Sequence, residues 1–177
     1  MDKKALEPLR FPVGRFSYDP ASFDTHKKAW IQQIKDTPNQ MRALAEAATT
    51  EQLNTPYRPG GWTVAQVIHH VADSHMNSMI RFKWALTEDS PMIKAYKESL
   101  WAELPDSFHT PVEVSLQFLD ALHTRWVILM EQMTDDDWNR TLGHPEWKQS
   151  PLELKFMLAL YNWHCRHHLG HIRLVVK

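Results

Sequence analysis

Cysteine is nearly missing from this sequence. Cys165 is the only one in 177 residues, so no internal disulfide can form, and a reducing, cytoplasmic compartment is expected. A chain this long buries roughly 70% of the surface its unfolded form exposes and needs no such scaffold. One domain spanning 1–177 is the expectation. Long apolar runs are missing too. The longest are short, such as Phe156 to Tyr161, too short for a membrane span. The first residues carry positive charge but lack the apolar stretch of a secretory signal. Neither sign of charge is in excess: 20 basic residues face 21 acidic ones. Without a basic block or stripe, nucleic acid is a poor candidate partner.

Strand signals are missing as well, since no segment alternates apolar and polar residues. What is present is helical spacing. Residues 1–22, with Pro8, Pro12, Gly14 and Pro20, read as an extended arm. From Asp24 to Ala48, the residues Ala29, Trp30, Ile34, Met41, Leu44 and Ala45 recur at helical intervals, and Pro38 is expected to kink or break that helix. Thr63 can cap a second helix to Glu88. Residues 89–110 read as irregular or weakly helical. Thr110-Pro111-Val112-Glu113 and Ser150-Pro151-Leu152-Glu153 each have the form of a capping box opening a further helix. The third helix carries Val114, Leu116, Phe118, Leu122, Trp126, Leu129 and Met133 on its apolar stripe. Four long helices imply an all-α four-helix bundle. Trp30, Trp84, Trp126 and Trp163 are expected in its core, with Trp62 and Trp147 stapling turns. A faint internal echo joins 49–62 to 134–147: each has a threonine, then a proline, then a tryptophan before a histidine-bearing helix.

Histidine is abundant, with eleven copies. The last helix holds two pairs spaced four apart, His164 with His168 and His167 with His171. That spacing stacks two rings on one face, where both can reach one ion. Taking Lys155, Asn162, Arg166 and Arg173 as the outward face, all four imidazoles point inward, where unsatisfied ring nitrogens are costly. The second helix offers a third ligand from His69, His70 or His75. Its apolar stripe turns His75 inward, whereas His70 heads a polar stripe with Asp73, Asn77 and Arg81. Spacing leaves open both the third ligand and the choice of pair.

The stretch from Leu53 to Ser78, with Gly60-Gly-Trp-Thr63 and Asp73-Ser-His-Met-Asn77, resembles the YfiT-like branch of the DinB superfamily. So do Phe11-Pro-Val-Gly14, His144-Pro145 and the tail from Leu160 to Ile172. The resemblance runs over nearly the whole chain. It implies a four-helix bundle, a homodimer, and one divalent ion per subunit held by His70, His167 and His171. One departure is Cys165-Arg166, where relatives carry smaller or histidine residues, and it is expected to alter the pocket rim.

Three nitrogen ligands leave a coordination position for water or substrate. The imidazole set suits zinc or nickel. Asp73 is a candidate base or orienting carboxylate. Asn77 and Arg81 are candidates for gripping an anionic substrate, and His75, His164 and His168 for supporting the ligands. The resemblance implies a metal-dependent hydrolase acting on a small molecule, with a low-molecular-weight-thiol S-transferase (bacillithiol or similar) as the alternative. Both need an open ion that activates water or thiol. A metal-bearing stress or interaction module without turnover is the reading from another class.

Overall fold

A computed structural model describes residues 3–148 and 150–177. Helices α1 (Lys3–Arg10), α2 (Phe23–Ala47), α3 (Thr50–Leu53) and α4 (Val64–Thr87) are followed by two short ones, α5 (Glu98–Trp101) and α6 (Asp106–His109). Then come α7 (Val112–Glu131), α8 (Asp135–Asn139), strands β1 (Thr141–Leu142) and β2 (Leu152–Glu153), and α9 (Leu154–Arg173). The two strands pair antiparallel, Leu142 opposite Leu152.

The four long helices α2, α4, α7 and α9 form a bundle. Each of α2 and α4 packs against both α7 and α9, so α2 and α4 occupy one diagonal and α7 and α9 the other. Consecutive long helices in an up-and-down bundle are neighbours. Here α2 to α4 and α7 to α9 must each cross an end of the bundle. Those crossings use the two echoed segments. In both, a threonine caps a short helix with a complete capping box: Thr49 with Gln52 before α3, and Thr134 with Asp137 before α8.

The core is in two apolar halves. One gathers Ile34, Phe82, Trp126, Trp138, Leu142 and Met157. The other gathers Met41, Val67, Ile68, Leu116, Leu119 and Ile172. Between them lies a buried polar layer of Thr37, Ser74, His75, Ser78 and His123.

Several expectations are corrected. The arm is not extended throughout: α1 forms because Leu6 and Leu9 lie a turn apart and are half-buried, despite Pro8 within it. Met1 and Asp2 lie outside the described residues. Helix α2 continues through Pro38, which is buried in its interior. Neither proline-containing capping box forms. Glu113 is engaged by Arg42 at 2.7 Å, and α7 begins without a side-chain cap. The Ser150 hydroxyl accepts from the His144 amide at 2.9 Å, while Leu152 and Glu153 enter the small sheet before α9 starts. Trp84, Val114 and Phe118 are exposed, because the stripes on α4 and α7 are wider than the faces their neighbours cover. Asn162, expected outward, is buried. Among the described residues no helix is long and apolar enough to cross a membrane.

Candidate metal centre

Helix α4 starts where Thr63 and Gln66 exchange side-chain to backbone bonds, which fixes the phase of every later residue on it. That phase turns His70 and His75 towards α9 and the bundle axis, both buried. Helix α9 brings His164, His167, His168 and His171 to the same region. A pocket of 460 Å³ is lined by His70, His164, His167, His168 and His171 together with Glu98. Ring nitrogens of His70, His164 and His168 lie within 4.8 Å of one another, as do those of His167, His168 and His171. The set implied by the resemblance is thus divided: His70 belongs to the first group, His167 and His171 to the second. His168 belongs to both.

Burial dominates the electrostatics. It pushes His70 and His171 down to about 4 and His167 to about 3, with neighbouring imidazoles adding to the shift in His70 and His167. His164 and His168 lie well below the ordinary imidazole value for the same reasons. At neutral pH all five are uncharged, each with one lone pair to offer.

Neutrality fixes several tautomers, because a carbonyl can only accept. Nδ1 of His123, on α7, donates to the Ile34 carbonyl of α2 at 2.6 Å. His123 Nε2 then accepts from His75 Nδ1 at 2.7 Å. His75 Nε2 accepts in turn from His164 Nδ1 at 3.1 Å. One hydrogen-bonded chain therefore crosses all four long helices and leaves the lone pair of His164 on Nε2, where the Ser74 hydroxyl can donate to it at 3.4 Å. At the other end, His171 Nε2 donates to the Arg10 carbonyl at 3.2 Å, so its Nδ1 carries the lone pair. These second partners orient the rings as ligand-supporting bonds do.

The residues fit a divalent cation. His167 Nδ1 is buried without a hydrogen-bond partner. An unsatisfied buried nitrogen of that kind is costly unless something coordinates it. His70, which lines the pocket, forms no hydrogen bond among the described residues, so its ring is free to coordinate. The surroundings are fitted to the rings: Tyr57 stacks on His171 with centroids 3.9 Å apart, Trp163 on His167 at 4.3 Å, and Trp62 tilts against His70 at 4.6 Å. A side-chain carbon on Gly170 would come within 2.8 Å of Pro12, so that glycine lets the arm lie against α9 beside His171.

Other candidates fall elsewhere. Asp73 does not line the histidine pocket. Burial and the nearby Asp106 raise its carboxyl to about 6. The Asn77 amide donates to the Asp73 carbonyl. Arg81 lines an adjoining cavity. Cys165 is packed in the core, where burial pushes its thiol up to about 12, and Arg166 is exposed. Neither lines the histidine pocket, so the expected change at its rim is not seen. Sequence reasoning missed His123, Glu98 and Tyr57. His123 gave no signal, being a lone polar residue on an apolar stripe. Glu98 sits in a stretch without period. Tyr57 was visible inside the Leu53–Ser78 motif.

A family model described as the DinB superfamily matches residues 33–172. Proteins of Bacillus cereus strain B4264 and Bacillus mycoides strain KBAB4, each carrying the name "Putative metal-dependent hydrolase", are 50% identical over 167 residues. Those residues are 94% of this chain and 95% of theirs. The solved structure of YfiT from Bacillus subtilis, described as a four-helix bundle of unusual topology, matches with a TM-score of 0.83 and 43% identity over 94% of each chain.

Proposed function

Because this chain belongs to the DinB superfamily, we propose that it is a metal-dependent hydrolase of the YfiT type. In this reading its histidine pocket holds one divalent ion, zinc or nickel. The observation that carries it is the set of five uncharged imidazoles converging from α4 and α9 on one pocket. His70, His167 and His171 hold the ion, the assignment that follows from the motif match. An ion bound there acts as a Lewis acid and brings the pKa of bound water down to roughly 7.

The chain's own groups do the rest. Glu98 lines the pocket, and burial and Glu146 hold its carboxyl above its ordinary value, which suits a group that takes up and returns a proton. Asp73 stands outside the pocket and acts at most through α4. Tyr57, Trp62 and Trp163 wall the imidazoles and exclude bulk water. Exposed Val114, Phe118 and Ile128 on α7 offer an apolar face for a second copy of the chain, in line with a homodimer.

The test uses protein stripped with a chelator and reloaded with zinc or nickel. Loaded protein should cleave ester or amide probes without added thiol, and stripped protein should lose at least about a hundredfold of that rate. Turnover that appears only when a low-molecular-weight thiol and an electrophile are both supplied would replace hydrolysis by S-transfer. Fully metallated protein with neither activity would leave a binding module.

A further inference from the structure

Arg81 is 7% exposed, yet among the described residues its guanidinium forms no salt bridge and no hydrogen bond. It lines a cavity of 600 Å³ with Ser74, Tyr96, His144 and His164. None of its guanidinium nitrogens is sealed off without a partner, so the fork opens onto this cavity, and a fixed guanidinium fork matches a carboxylate through two parallel bonds. His164, Glu98 and Ser99 line both this cavity and the histidine pocket, so the two spaces meet there. Eleven residues separate Arg81 from His70, about three helical turns, so both leave one face of α4 roughly 16 Å apart along the axis. Both side chains lean towards the helix start, but the longer arginine reaches further along the axis, which reduces the gap to roughly 10–13 Å.

We infer that Arg81 is an anion-recognition residue, and that the substrate carries a carboxylate roughly 10–13 Å from the bond cleaved at the imidazoles. Glu98, Glu146 and Lys97 also line the cavity. Two carboxylates against one lysine disfavour a doubly charged phosphate, so the singly charged carboxylate is the better match. The reacting end of this inference rests on the hydrolytic reading; the anion end does not.

Two measurements on zinc-loaded protein test it. The first compares kcat/KM for the p-nitrophenyl monoester of suberic acid with that for p-nitrophenyl octanoate. The acid-tailed probe should be preferred at least tenfold, and that ratio should fall at least tenfold in R81Q. The second is calorimetric titration with suberate, octanoate and inorganic phosphate. Suberate should bind tighter than either of the others, weaken at least tenfold in R81Q and recover in part in R81K. R81K keeps the charge without the fork, so it also serves if R81Q does not fold. Equal preference in both proteins, suberate binding that ignores Arg81, or phosphate binding tighter than suberate would each overturn the inference. Arg81-dependent suberate binding with no probe hydrolysed would uphold the anion site and count against the hydrolytic reading alone.

Discussion

Alanine in place of His70 is expected to lower the affinity for zinc or nickel at least about a hundredfold, and to remove metal-dependent turnover with it. The reason is positional. His70 is the α4 residue that belongs to both the motif-derived set and the geometric group with His164 and His168, so any ion bridging α4 and α9 needs it. Comparing His167→Ala with His164→Ala then separates the two α9 pairs. With His167 and His171 as ligands, H167A loses the metal, whereas H164A weakens binding only about 10–100-fold through lost support. The reverse order would assign the ion to His164 and His168. Chelator competition reads all three variants, and circular dichroism confirms that each is folded.

A second large effect is expected from pH. His123 is buried in the middle of the imidazole chain, and burial pushes it down to about 4 from an ordinary value near 6.5. His75 lies well below that ordinary value. A base whose folded pKa is lowered is protonated more readily in the unfolded chain. Stability is therefore complete above pH 6.5 and falls as pH drops from there towards 4, levelling off below the folded value. A shift of that size corresponds to about 3 kcal/mol for His123 alone across the window. Several histidines share the direction, so metal-free protein should lose more than about 3 kcal/mol between pH 7 and pH 5. Urea midpoints across that range measure it. A bound ion competes with protons for the same nitrogens, so loaded protein should keep its midpoint to lower pH than stripped protein. A flat profile for stripped protein would mean that the imidazoles are hydrated rather than buried.

The bundle was legible because its information is local and periodic. Thr63 capped α4 as expected, and the inward phase of His75, His167, His168 and His171 followed from helical spacing. What escaped depended on contacts between segments distant in sequence. The Ser150 hydroxyl caps nothing because the His144 amide reaches it first. Glu113 is drawn across to Arg42, 71 residues away. The placing of α2 and α4 on one diagonal cannot be read from any single helix, since it depends on which faces the crossing segments bring together. At the site, spacing found the imidazole pairs but not their hydrogen-bond partners. His123 matters because it faces Ile34 and His75 from two other helices, and only tertiary packing shows that.

Convergence of imidazoles from α4 and α9 on one divalent cation is most directly tested by crystals of zinc-reloaded protein measured across the zinc absorption edge. One anomalous peak per chain is expected inside the histidine pocket, about 2.0–2.1 Å from nitrogens of His70 and of two α9 histidines. A pocket without a peak in fully reloaded protein, or zinc found only at surface carboxylates, would contradict the account.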